Sequence, residues 1–453
     1  MSTPPNSRGR NKSRNDIEWS DAQLPIIHTA GEVFADGASI DLVREAATGD
    51  LLLSSFDGDS CKIGARVEAH GSVYLPAKIH PTILRAVALP TTFSEYGSTL
   101  QLFAATREQF EIAGFPEDIS LPAAHFVFAS WFPESSAVAP CLSISGPHSE
   151  AMYLLRLLGC LVRHPLRLAE VTRAGLCSLP NNLQVTYLIC QEPISRSTRT
   201  LLNASNNPGA HLSWKGGLAN IYSPKAIYVG TGFAFRKDGD SSLHIHLTPS
   251  RSHLPILNAN AQRMITDEFQ GKMQAYRFRN INRVRDSQFN VPGLASSSRI
   301  LSRTLGACIV DAPEIQAGLE PLLQDQEEQA RASRWTDLEC VAIEAALYHS
   351  HVEMAGRTYI GKLTKTAHEI LVFRGEKTPL SPEEIGRVLR RLGLVPRRDS
   401  SGSALVFTDQ MRKRIHELAR DYDVAAAQQG IAMCPLCSEI LPAFGSEASS
   451  RWT

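Results

Sequence analysis

The rhythm of hydrophobic and polar positions changes several times along the chain, and each change marks a different kind of element. Residues 1–22 are rich in Ser, Pro, Asn, Arg and Gly, the composition of a disordered tail. From Ile26 to about Pro140, short apolar runs alternate with turn residues. Ser39–Ala47 reads as a helix with Ser39 as its cap. Leu51–Phe56, Lys62–Ala69 and Gly71–Leu75 read as strands, with Asp57–Gly58 as a hairpin turn. Glu108–Ala113 and Ala123–Phe132 read as helices. The expectation is an α+β accessory domain over 23–138 that caps the next unit or binds a partner.

From Pro140 the pattern becomes strand, glycine turn, helix, strand, which is the grammar of a parallel α/β sheet. The apolar strand ending at Ser145 runs into Gly146 and then a leucine-rich helix to Gly159. Val185–Ile189 reads as the second strand, and a helix follows from about Ser195 to Asn203. After a polar, glycine-rich turn at 206–217 come a third strand, Lys225–Gly230, and a fourth, Leu243–Leu247. This core is placed at 139–262, with a helical extension at 263–332 that includes the acidic stretch Glu314–Glu328.

Helical periodicity returns at Asp337–His349 and Thr364–Phe373. It is sharpest at Leu380–Leu394, where Ser381 caps, Pro382 opens the first turn, and Ile385, Val388, Leu389 and Leu392 form one apolar face. A strand at Val395–Arg397, a turn at 400–402 and a strand at Ala404–Phe407 make a hairpin, and a helix near Ile415–Tyr422 closes the unit. Three helices followed by a hairpin predict a winged-helix domain over 333–424. Residues 425–453 read as a flexible tail.

Composition narrows the class. At 453 residues the chain exceeds what one core organises, and 43% hydrophobic with 20% charged is ordinary for globular protein. Lysine plus arginine equal aspartate plus glutamate at 46 each, so only local patches of charge argue for a partner. Nine scattered cysteines do not form a disulfide framework and point to a reducing cytoplasm. No run approaches the roughly 20 apolar residues that span a bilayer, so no membrane partner is expected.

The strand–Gly146–helix junction is where a phosphate-binding loop would sit. In an intact loop glycine lets the backbone wrap phosphate, lysine neutralises it and a Ser/Thr hydroxyl binds magnesium. Counting from Gly146, those places hold Ala151, Met152 and Tyr153, so the chemistry is missing from an otherwise suitable frame. The second strand is followed by Cys190, Gln191 and Glu192, leaving Glu192 as the acidic candidate where an ATPase places metal-binding carboxylates. Thr231 after the third strand is a candidate polar sensor.

On these residues, together with Arg156–Gly159, Leu201–Ser205 and Tyr222–Lys225, the segment 140–247 resembles the helicase-like ATPase domain of primase–helicases carried by phages and plasmids. It also resembles a group of bacterial proteins with the same layout. The carboxy-terminal unit is similar to the winged helix of those primase–helicases. The resemblance covers about a quarter of the chain and lacks its diagnostic residues. It implies an α/β fold with a degenerate P-loop NTPase-like parallel sheet, no catalysis and no cofactor. Partners implied are DNA and either a protein or further copies of the chain.

Arg387, Arg390, Arg391, Arg397 and Arg398 lie along one helix and the start of the hairpin, the placement that holds phosphate backbone. Glu383, Glu384 and Asp399 offset part of that charge, which keeps a protein-interaction surface open as the alternative. A weak nucleotide binder that uses the helix dipole at Gly146 is the third reading. Lys272–Arg285 interleaves arginines with Tyr276 and Phe278, a pattern of nucleic-acid stacking or, more commonly, of a helix docked onto a core. Cys434 and Cys437 supply two of the four ligands a structural zinc takes, and His244 and His246 alternate on a strand as ordinary sheet residues do.

Overall fold

The computed structural model describes residues 24–424, apart from 92, 180–182, 192–193, 215–216, 231–240, 250–253, 335, 354, 377–378 and 423. The expected tails at 1–22 and 425–453, with Cys434 and Cys437, lie outside the described residues.

The chain opens with seven short strands: β1 (Ile26–Thr29), β2 (Gly31–Val33), β3 (Ser39–Arg44), β4 (Leu51–Phe56), β5 (Cys61–Gly64), β6 (Val67–Ala69) and β7 (Ser72–Pro76). β2 to β5 form an antiparallel meander, while β1 pairs in parallel with β7 beside β6. The helix expected at 39–47 is a strand. Its six residues pair in full with Leu51–Phe56, and Gly49 at φ +77 turns the chain back between them. That pairing, with β-branched Ile40 and Val43, overrides the helical reading. The hairpin turn at Asp57–Gly58 is present, with Gly58 at φ +104.

Three helices follow: α1 (Pro81–Ala86), α2 (Thr99–Ile112) and α3 (Glu117–Ser130). Ser98 and Gln101 form a capping box that starts α2 well before the expected Glu108.

The centre of the molecule is built from β8 (Cys141–Ser145), α4 (His148–Leu161), β9 (Pro165–Leu168), α5 (Arg173–Ser178), β10 (Thr186–Ile189), α6 (Arg196–Ala204), β11 (His211–Trp214), β12 (Gly217–Asn220), β13 (Lys225–Tyr228) and β14 (Leu243–His246). Five of these strands make one all-parallel sheet in the order β14-β8-β13-β10-β9. The fold is thus mixed α/β around a five-stranded parallel sheet. β9 was not expected: it is four residues long, opens with a proline and lies at the sheet edge, where a proline is tolerated. The expected glycine-rich turn at 206–217 contains β11, which pairs with β12 in a two-stranded antiparallel hairpin.

Side chains of this sheet alternate between two hydrophobic clusters. Leu142, Ile144, Leu188, Ala226, Tyr228, Leu243 and Ile245 face a cluster shared with α2, α3 and α4. Cys141, Tyr187, Ile189 and Ile227 face the other, shared with Ile40, Leu42, Leu53 and Tyr74. Residues 24–138 therefore supply cover to both faces: their strands lie on one and α2 and α3 on the other.

Four helices extend the first cluster: α7 (Ala259–Arg285), α8 (Ser296–Ala307), α9 (Pro313–Ala317) and α10 (Leu319–Arg334). The last unit comprises α11 (Leu338–Leu347), β15 (Arg357–Tyr359), α12 (Ile360–Phe373), α13 (Pro382–Arg391), β16 (Arg397–Asp399), β17 (Gly402–Val406) and α14 (Asp409–Asp421). Its hydrophobic cluster is drawn entirely from residues 340–424. No helix among the described residues is long and apolar enough to cross a membrane.

Candidate nucleic-acid interface

The glycine junction was one candidate for chemistry, and its geometry is closed. β8 ends at Ser145 and α4 starts at His148, so Gly146 and Pro147 alone connect them. Of the eight positions that a phosphate-wrapping pattern would occupy from Gly146, six lie inside α4. Gly146 holds φ +118, and a β-carbon on it would sit 2.2 Å from the Leu247 carbonyl oxygen. Its N–H donates to the Gly230 carbonyl at 3.3 Å, and its carbonyl accepts from the Tyr228 hydroxyl at 3.0 Å. Ala151 is fully buried, and Met152 and Tyr153 pack against the main cluster. Glu150 adds a carboxylate to the first turn of α4, where a phosphate would otherwise be favoured.

Glu192 and Thr231 lie outside the described residues. Gln191, next to Glu192, accepts from the Val171 N–H at 2.8 Å. His246 places Nδ1 3.0 Å from Ser145 Oγ at the carboxyl end of the sheet. No group of three or more potential metal ligands occurs among the described residues.

The basic–aromatic stretch 272–285 forms the carboxy-terminal half of α7; Tyr276, Arg277 and Phe278 turn inward, while the exposed Arg279, Arg283 and Arg285 are engaged by neighbouring groups. Tyr276 and Phe278 are buried. Arg279 pairs with Glu95, Arg283 with Asp311, and Arg285 donates to the Phe34 carbonyl. Arg277 enters a buried ionic cluster that ties four distant segments together. Arg163, just after α4, donates to both Asp41 oxygens at 3.0 and 3.3 Å, to Glu134 at 3.2 Å and to Gln184 at 2.8 Å. Arg277 donates to both Glu134 oxygens at 2.9 and 2.7 Å, and its Nε lies 3.6 Å from Asp41. Burial pushes the Asp41 and Glu134 carboxyls up, but the two guanidinium groups outweigh it and hold both below the usual carboxylate range. His164, 3.7 Å from Asp41, is pushed down to about 4 by burial and by Arg163, so it is neutral and forms no ion pair. The Arg163, Arg277 and Asp41 side chains are each 1% exposed, so this cluster fastens β3 to α7 and offers solvent no anion site.

The carboxy-terminal unit places its arginines differently. Ser381 and Glu384 form a capping box at the start of α13, with Pro382 in the first turn. Ile385, Val388, Leu389 and Leu392 are buried in the local cluster. The opposite side of the helix carries Arg387, Arg390 and Arg391, spaced three and four residues apart and all exposed. Arg397 and Arg398 on β16 pair with Ala404 and Ser403 of β17 and are exposed as well. From Ile385 to Arg398 there are five arginines and no acidic residue. All five candidates therefore reach solvent from one helix and its adjoining hairpin.

Two pairings in this region were not legible beforehand, although Asp399 itself was. Glu339 of α11 accepts from Arg391 at 2.6 Å. Asp399 accepts from Arg357 and from the Tyr359 hydroxyl, each at 3.3 Å. Both arise from pairings forty or more residues apart, for which no local pattern exists; the β15–β17 register brings Arg357 and Tyr359 to the hairpin.

No family model matches the chain, and no curated protein matches it. Among the solved structures that overlap it, three illustrate the low similarity. The C-terminal region of NrS-1 is 10% identical, covering 82% of this chain and 96% of its own, with a TM-score of 0.33. A full-length MCM homolog from Methanopyrus kandleri is 9% identical over 65% of this chain and 77% of its own, with a TM-score of 0.35. A Drosophila ORC bound to DNA is 13% identical over 71% and 92%, with a TM-score of 0.19.

Proposed function

We propose that this chain is a non-catalytic, DNA-associated protein in which a P-loop ATPase-like core serves as scaffold for a carboxy-terminal winged helix. The observation that carries the reading is the exposed arginine face of α13 and its hairpin, uninterrupted by acidic residues from 385 to 398. Exposed guanidinium groups along one helix and wing suit phosphate oxygens, to which they donate in pairs. The order of α11, β15, α12, α13 and the β16–β17 hairpin supports a winged helix, with α13 as the helix presented to DNA.

The core reading rests on the all-parallel sheet and on the glycine turn between its first strand and the following helix. The two-residue turn favours a scaffold over an ATPase, because it leaves no backbone cradle for phosphate. The same closure weighs against the weak nucleotide binder. Its relation to primase–helicases, and with it a mobile-element origin, is part of the proposal.

The test is fluorescence anisotropy of the purified chain with labelled DNA over a salt series, with labelled ATP in parallel. Binding that weakens steeply with salt, and is lost on Arg390→Glu with Arg391→Glu, is the expected result. Unchanged affinity and salt dependence in the double variant sinks the reading, and ATP binding or hydrolysis sinks the scaffold.

A second reading, a protein-docking winged helix, is favoured by Val395 at 59% exposure beside Arg397 and by Phe373 at 70% at the end of α12. Absence of DNA binding at low salt selects it.

A further inference from the structure

The geometry points to a specific substrate class for the arginine face: duplex DNA held by its phosphate backbone, without readout of base sequence. This inference rests on the DNA-binding reading above and deepens it.

Helices that read bases do so with donors and acceptors near their N-terminal end, which enters the major groove. The first turn of α13 cannot do this. Pro382 has no N–H, and Glu384 is committed to the cap, accepting from the Ser381 N–H and hydroxyl at 2.9 Å each. Ile385 and Gly386 are buried. Glu383 is exposed and anionic, so it repels the phosphates that line a groove. The cations begin at Arg387 and run to the end of the helix, then resume on the hairpin. The charge thus lies where the backbone passes and is absent where base edges would be met.

Single strands need a different surface, with exposed aromatic faces on which bases stack. Around this face Phe407 is buried, with the Arg412 guanidinium 5.8 Å from its ring centroid. Tyr359 is half-buried, and Arg357 lies over its ring at 5.5 Å. Of the two rings that adjoin the hairpin, neither offers a stacking platform.

Two carboxylates adjust the strength of the site. Asp399 is engaged by Arg357 and Tyr359, which turns its charge aside from Arg397 and Arg398. Glu339 holds Arg391 at 2.6 Å, so a phosphate must displace it to use that arginine. Glu339 is therefore a competitor built into the neighbouring helix.

The experiment measures anisotropy with three labelled 20-mers: an alternating dA·dT duplex, an alternating dG·dC duplex and a mixed-sequence single strand. Each is titrated with the full chain at 50 and 200 mM salt. Expected are duplex affinities within about tenfold of each other, a weaker single strand, and a duplex salt slope approaching about −4.5 for five phosphate contacts. Arg398→Ala lowers that slope by about one and weakens both duplexes alike, while Glu339→Gln tightens both by roughly threefold. Circular dichroism confirms that each variant is folded. Discrimination between duplexes beyond about tenfold, or a single strand bound as tightly as duplex, overturns the inference but leaves the DNA-binding reading intact. No binding of any probe at 50 mM salt overturns that reading itself.

Discussion

Gln326 of α10 closes the open edge of the parallel sheet by engaging both backbone groups of His244 in β14. Its Nε2 donates to the His244 carbonyl at 2.9 Å, and its Oε1 accepts from the His244 N–H at 3.3 Å. One side-chain amide thereby imitates a neighbouring strand. An unpaired sheet edge templates pairing with other chains, and a covering helix is one of the ways proteins prevent this.

Gln326→Ala removes that imitation. Stability is expected to fall by about 1–3 kcal/mol, and the chain should self-associate at high concentration. Urea denaturation and sedimentation velocity check the two effects. A variant that stays monomeric at unchanged stability shows that α10 protects the edge by bulk alone.

Gly146→Ala tests the closed turn. The new β-carbon would meet the Leu247 carbonyl at 2.2 Å, in a backbone conformation that non-glycine residues seldom adopt. A loss of roughly 3 kcal/mol or more is expected, visible as a lowered Tm. A small loss means that the junction between β8 and β14 yields more than its geometry suggests.

Asp41→Asn disturbs the buried ionic cluster without changing its shape. Arg163 and Arg277 would retain Glu134 as the remaining carboxylate of the cluster, and a destabilisation of about 3–5 kcal/mol follows from the under-compensated buried charge. A loss below 1 kcal/mol would show that Glu134 and Gln184 suffice.

Acid should destabilise the core in two stages. His125 and His164 are pushed by burial down to about 3 and about 4, whereas in the unfolded chain they titrate near 6.5. The unfolded chain takes up protons first, so their contribution is complete above about pH 6.5 and falls away as pH drops towards the folded values. Asp41 and Glu134 add a second loss: their folded pKa values are depressed, so their contribution is present above about pH 4 and is lost below it. Urea midpoints at pH 7, 5 and 3.5 measure both stages.

His125 separates the first stage from the second. Its ring lies tilted against Phe103 with centroids 4.8 Å apart, and neither ring nitrogen has a hydrogen-bond partner among the described residues. His125→Leu should raise stability at pH 7 by about 1 kcal/mol and reduce the slope between pH 6.5 and 5 by up to about 1.4 kcal/mol per unit. An unchanged slope assigns the acid sensitivity elsewhere.

Much of this was legible because it is local. β8 with its glycine turn, β10, β13 and β14 are short segments with apolar residues at successive or alternate positions, and α13 announces itself through Ser381, Pro382 and the Ile385–Leu392 stripe. β3 was misread because six residues carry too little periodicity to distinguish helix from strand, and its partner β4 decided the matter. β9 is too short and proline-headed to stand out. At the candidate sites, Arg397 and Arg398 lie on the hairpin strand that follows α13, and exposure of Arg387, Arg390 and Arg391 followed from helical spacing. The inward turn of Arg277, the Asp41–Arg163 pairing and the hold of Glu339 on Arg391 did not, because each joins residues that only the fold brings together.

The way residues 24–138 cover both faces of the parallel sheet has a consequence for excision. A fragment beginning at residue 139 would lose the cover that α2 and α3 give Leu142 and Ile144 on one side and that β3, β4 and β7 give Tyr187 and Ile227 on the other, so it is expected to fold far less stably than the full chain. The sheet and everything before it form one cooperative unit that melts together. Residues 338–424 close over a cluster of their own, and that stretch is a separable foldon, suited to independent expression and to exchange between proteins.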